Sequence, residues 1–175
     1  MFLNRQLGSI AMLWGVAGTV AFLLFPILRM LVHVREAWES DLGIEHYGLA
    51  AVWTAFMAYS EGYRGFQKSF SPRVAARAIY LKEKATWLRL LLAPLFCIGL
   101  FHATRRKQIT VIILMMLIAL IVIGFRQIPQ PWRGVLDVGV IIGLTWGAVA
   151  TVAFFLKLFS SKEIEHLAQV VEPNA

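Results

Sequence analysis

Charge is the first thing this chain lacks. Only 15% of its 175 residues are Asp, Glu, Lys or Arg, while 59% are hydrophobic; soluble domains carry about 25% charged residues. An ordinary water-soluble domain is therefore excluded. Cysteine is nearly absent as well. The single Cys97 sits in an apolar run, which rules out an intrachain disulfide and a cysteine-based metal centre. No Gly/Ser linker, low-complexity tract or internal repeat divides the sequence, so it reads as one domain. Catalytic motifs are missing too: there is no HExxH, no GxSxG, no P-loop and no dinucleotide glycine fingerprint. No enzyme class is assigned and no cofactor is expected.

What the chain does have is apolar length. Five segments, 7–34, 46–62, 86–103, 109–125 and 134–159, predict an all-α, polytopic transmembrane helical bundle, because about 20 apolar residues cross a hydrocarbon core about 30 Å thick. The third segment is short and contains Arg89 and Pro94. Four spans with a re-entrant 86–103 is therefore the alternative. Segment 7–34 exceeds the apolar region of about 7–15 residues found in signal peptides and is expected to stay on the protein. Small residues recur at helical spacing in three places: Gly8, Ala11, Gly15 and Gly18; Ala51, Ala55, Ala58 and Gly62; and Gly139, Gly143 and Gly147. Such rows would let another helix of the bundle, of a second copy or of a partner approach closely.

Between the second and third segments runs the one long polar stretch. Tyr59, Tyr63, Phe66 and Phe70 follow an i, i+4, i+7, i+11 pattern that an α-helix would place on one face. Ser71 then reads as an N-cap and Pro72 as the first residue of a separate helix. On that helix Arg73, Arg77 and Lys84 share one side while Val74, Ala78 and Leu81 share the other. Together with Lys68 they make 63–85 a basic amphipathic loop-helix at the membrane surface, suited to anionic lipid or an acidic partner. The tail, 160–175, is polar.

The net charge is +7, but it lies beside apolar spans and not on a soluble basic face, so nucleic acid is not an expected partner. The Lys/Arg distribution favours a cytoplasmic N-terminus, with loop 35–45 outside and 63–85 and 126–133 inside. Without organelle-targeting character, the expected location is a bacterial inner membrane. Ionisable groups at or in the spans are the candidates for function. Glu61 and Arg64 stand at i, i+3 spacing, Arg133 and Asp137 at i, i+4, and Arg89 has no well-placed local acidic partner. His33, His46 and His102, with Glu45, fall at the outer boundary and form the only set that could take a metal or haem. The leading expectation is a membrane accessory or interaction protein, built from packing faces and a basic surface. A small transporter using Glu61, Arg89 and Asp137 is the second expectation, and a redox protein using the histidines the third.

Overall fold

A computed structural model describes residues 2–83, 86–99, 109, 112–113, 116, 120, 123–125 and 127–160. It is all-helical, with no strand among the described residues. The longest helix is α1, Phe2–Trp38, which continues through Pro26. It stops where Ser40 turns back: the Ser40 hydroxyl donates to the Ala37 carbonyl at 2.6 Å and its N–H to the same oxygen at 3.2 Å, which satisfies a terminal carbonyl that would otherwise be bare.

α2, Ile44–Met57, starts after an extended Gly43, whose N–H donates to His46 Nδ1 at 3.0 Å. It does not end where the polar stretch begins. The chain continues without a break through a π-helical segment, Ala58–Phe70, into α3, Ser71–Glu83. The expected N-cap at Ser71 is therefore not formed. Ser71 has helical backbone angles, φ −60° and ψ −42°, and its N–H bonds the Phe66 carbonyl. Nor is 63–85, over its described residues 63–83, a separate surface helix. Val74, Ala75, Ala78 and Leu81 are buried against Ala11, Met12 and Val16 of α1 and against Phe155, because the apolar side of the amphipathic pattern meets two apolar helices instead of a lipid surface.

Segment 86–103 is not one helix over its described part. α4, Trp87–Leu91, opens on Thr86, whose hydroxyl accepts the Arg89 N–H at 3.3 Å. The chain then breaks at Leu92, ahead of Pro94 in the first turn of α5, Ala93–Ile98. α5 closes on Gly99 at φ +103°, a left-handed angle that disfavours any side chain. Neither piece is long enough to cross a membrane. The last described helix, α6, runs over Trp132–Ser160. Most of the predicted span 109–125 lies outside the described residues; Ile109, Ile112, Ile113, Met116, Leu120 and Ile123 within it are helical and exposed.

Contacts between α1, the 44–83 run and α6 fix their directions. Gly134 meets Ala37 and the His33 carbonyl, whereas Gly8 meets the Lys82 carbonyl and Lys82 Nζ lies over the Phe159 ring. α1 is thus antiparallel to α6, and the 44–83 run is parallel to it. One end of the bundle gathers Trp38, Ile44 and Trp132; the other gathers the start of α1, Glu83 and Ser160. Gln130 donates to the His33 carbonyl at 3.1 Å, so loop 127–131 shares an end with the turn after α1. The expected placement of 35–45 and 126–133 on opposite sides is corrected here. The physical reason is the break at Leu92, which keeps 86–99 from running the length of the bundle.

Two helices, Gln6–Trp38 and Trp132–Ser160, are long and apolar enough to cross a membrane. Their outward faces are large and greasy: Phe25 is 64% exposed, Leu28 66% and Val149 64%. Each such side chain left in water forgoes about 1.5–3 kcal/mol, and contiguous apolar surface on this scale belongs against lipid or protein.

Candidate functional site

Two groups of polar side chains stand out, one at an end of the bundle and one along a flank. At the end that gathers Trp38 and Trp132, Arg133 donates to His33 Nε2 at 2.7 Å. Because a guanidinium only donates, Nε2 must accept and the ring proton sits on Nδ1, which faces Glu36 Oε2 at 3.5 Å. Gln130 donates to the same carboxylate oxygen at 3.1 Å, and its own Oε1 accepts the Gly134 N–H at 3.2 Å. Asp137, only 3% exposed, lies within electrostatic reach of His33 and Arg133. The expected Arg133–Asp137 ion pair is not formed; the α1 histidine takes the guanidinium instead. Gln130 had no sequence signal, since the groups its amide donates to lie on α1.

His46 lies at the same end. It is 8% exposed, packs against the Trp132 ring at 4.2 Å, and has Glu45 Oε1 3.4 Å from its Nδ1. Its Nε2 is buried without a hydrogen-bond partner among the described residues. His33 and His46 thus share a depth, while His102 lies outside the described residues. Among the described residues no three His, Cys, Asp or Glu side chains are grouped to hold a metal.

Halfway along, the glycine row of α6 receives side chains from the 44–83 run. Gly139 faces the Trp53 indole, Gly143 faces Glu61, and Gly147 faces the Phe66 ring. Around them, Trp53 Nε1 donates to the Leu136 carbonyl at 2.9 Å and Trp146 Nε1 to Gln67 Oε1 at 2.8 Å. The Thr151 hydroxyl donates to the Gly147 carbonyl at 2.8 Å, which leaves Ser71 as the donor in their 3.0 Å contact. The aromatic row divides, because a π-turn takes in more residues than an α-turn. Tyr59 pairs with Tyr63 at 6.0 Å and Phe66 with Phe70 at 5.4 Å.

Glu61 makes no ion pair with Arg64 or with any other described residue. Arg64, Lys68 and Arg73 are exposed on this flank, opposite the stretch of α6 between Gly143 and Thr151. Lys68 Nζ lies 4.6 Å from the centre of the Tyr63 ring, and Arg73 Nε donates to the Ser69 carbonyl at 2.7 Å. None of the three reaches a carboxylate among the described residues. Arg77 turns inward, donating to the Phe96 carbonyl at 3.3 Å and lying against Gly99. Arg89 is over the Tyr80 ring at 5.8 Å, near the far end. Glu61, Arg89 and Asp137 therefore occupy three depths and do not converge. Lys84 lies outside the described residues.

Comparisons with protein-family models, curated proteins and solved structures find no match.

Proposed function

We propose that the chain is an integral membrane interaction protein whose charged flank is covered, inside the membrane, by a partner subunit presenting carboxylates. The observation that carries this reading is the depth of Arg64, Lys68 and Arg73. They are exposed between Glu61, which faces Gly143, and the residues after Ser71, which meets Thr151, in the middle of a helix of 29 residues that is about 43 Å long. At that depth α1 and α6 turn outward apolar side chains and one hydroxyl, Thr145, and no charge. A cation facing hydrocarbon there costs about 2.5–3.5 kcal/mol, so three would cost about as much as a whole domain's folding stability. A partner carboxylate removes that cost and adds charge-assisted hydrogen bonds.

Both glycine rows are covered from within the bundle, Gly8 by the Lys82 backbone and the others by side chains, which leaves charge rather than small-residue packing as the means of recognition. Lys82, Arg89 and Lys157 lie toward the opposite end from Glu36, Glu39, Asp41 and Glu45. The basic end suits the cytoplasmic face of a bacterial inner membrane and its anionic headgroups, with the N-terminus on that side.

The test is the mass of the assembly cut directly from the cell membrane into polymer nanodiscs. The wild-type chain is expected in a hetero-assembly, and the triple variant Arg64→Gln, Lys68→Gln, Arg73→Gln as the lone chain. If the wild type is already alone and the triple variant only melts at a higher temperature, the flank faces lipid and the proposal is wrong. A mass of two identical chains would replace the partner by a second copy.

A further inference from the structure

Glu61 is not explained by the cationic flank. Its carboxyl points across the helix interface to Gly143, where an added Cβ would lie 3.3 Å from Glu61 Oε2 and 3.6 Å from the Met57 carbonyl. Glycine is what leaves room for the carboxyl. On either side along the interface stand aromatic rings, Trp53 at Gly139 and Phe66 at Gly147, with Trp146 against Gly62. The hydrogen-bonding groups nearby are already engaged: Trp53 Nε1 with the Leu136 carbonyl and Trp146 Nε1 with Gln67. No hydrogen bond or ion pair reaches Glu61 from the described residues.

The surrounding charges do not supply a counter-ion. α6 carries no titratable group at this level, Asp137 being more than a turn nearer the end. Along the 44–83 run the nearest charges, Arg64 and Lys68, are exposed on the flank, and Tyr59 and Tyr63 stack on each other. Glu45 and His46 of α2 lie together at the bundle's end, and Arg73 of α3 is bonded to Ser69.

We propose that Glu61 is a proton-binding site within the bundle, a carboxyl that takes up and releases a proton while the helices around it remain packed. The occupant is a proton and not a metal cation because one carboxyl with a single neighbouring carbonyl falls far short of the 6–8 oxygen ligands a calcium ion takes. A carboxylate without partners in an apolar interface is costly, and binding a proton removes the charge. The exchange is balanced with water: the proton joins a carboxylate oxygen from hydronium and leaves to water, and no other bond changes. The π-helical segment that carries Glu61 is a form of helix that recurs at functional sites.

The full-length protein in liposomes is treated with dicyclohexylcarbodiimide, an apolar reagent that reacts with protonated carboxyls. The carboxyl proton passes to one carbodiimide nitrogen, the oxygen bonds the central carbon, and rearrangement leaves an N-acylurea with no leaving group. The expected result is an adduct on the Glu61 peptide that falls about tenfold or more between about pH 5 and about pH 9. It should be missing from a Glu61→Gln variant that still melts cooperatively. Two results would overturn the proposal: no Glu61 adduct at pH 5, or equal labelling at both pH values, which would mark a permanently neutral structural side chain. Neither depends on a partner subunit, so this test and the nanodisc test fail separately.

Discussion

Gly147 shows how much a single missing side chain decides. A Cβ there would come within 2.6 Å of Phe66 Cδ1 and 2.8 Å of Cδ2, and the ring has Phe70 behind it. Overpacking of this kind costs about 1–3 kcal/mol, so Gly147→Ala should lower the melting temperature clearly. Gly48, in α2, has nothing within 4 Å of its added Cβ. There Gly48→Ala should be neutral or stabilise by about 0.5–1 kcal/mol, because alanine loses less backbone freedom in a helix. Thermal melts of both variants in one detergent would check the pair, and equal loss in both would contradict this account of the interface. Spacing alone marks Gly139, Gly143 and Gly147 as a bare strip, but nothing local says that Trp53, Glu61 and Phe66 will fill it, since each arrives from some eighty residues away. Arg133 follows the same logic. Its i, i+4 neighbour Asp137 is visible in sequence, while His33, which it bonds, lies one hundred residues back.

Among the elements, the unbroken run from Ile44 to Glu83 departs furthest from the sequence reading. Ser followed by Pro is a sound start signal when the serine hydroxyl is free to turn back on its own helix. Here that hydroxyl is donated to Thr151 on α6, and the π-segment supplies the backbone bond from Ser71 to Phe66. Tertiary contact thus overrides the local cap. The apolar side of α3, by contrast, is legible from its 3.6-residue period; only the surface it covers is not. The two interpretations separate at Thr151→Val. If α3 were a surface helix capped by Ser71, the change would be close to silent. In this fold it leaves the buried Ser71 hydroxyl without its acceptor, and a loss of about 1–3 kcal/mol is expected, readable as a lower midpoint of thermal unfolding. Ser71→Ala should cost less, about 1 kcal/mol, because Thr151 keeps its own bond to the Gly147 carbonyl.

At the scale of the whole molecule, the proposed membrane location raises the question of how many times the chain crosses. Apolar runs show where crossings are possible; short length, Arg89 and Pro94 already leave a re-entrant 86–103 open, and over 86–99 the chain folds as two short helices with a break at Leu92. Read as a crossing, the segment inverts every later loop. It places 126–133 across the membrane from 35–45, although Gln130 reaches both the His33 carbonyl and Glu36. The arrangement predicts that single cysteines at Glu39 and Gln127 lie on the same side. They would be introduced one at a time in a Cys97→Ala background, since Cys97 is only 1% exposed and its loss should leave the surface unchanged. With a membrane-impermeant maleimide on intact cells, both should be labelled, whereas a cysteine at Ser160 should label only after permeabilisation. Label at Glu39 with none at Gln127 would restore five alternating spans and break up the end cluster of His33, Glu36, Gln130 and Arg133. Label at Ser160 alone would keep the bundle and reverse it. The acidic end would then face the cytoplasm, and Lys82, Arg89 and Lys157 would lie away from the anionic headgroups that the proposed orientation assigns to them.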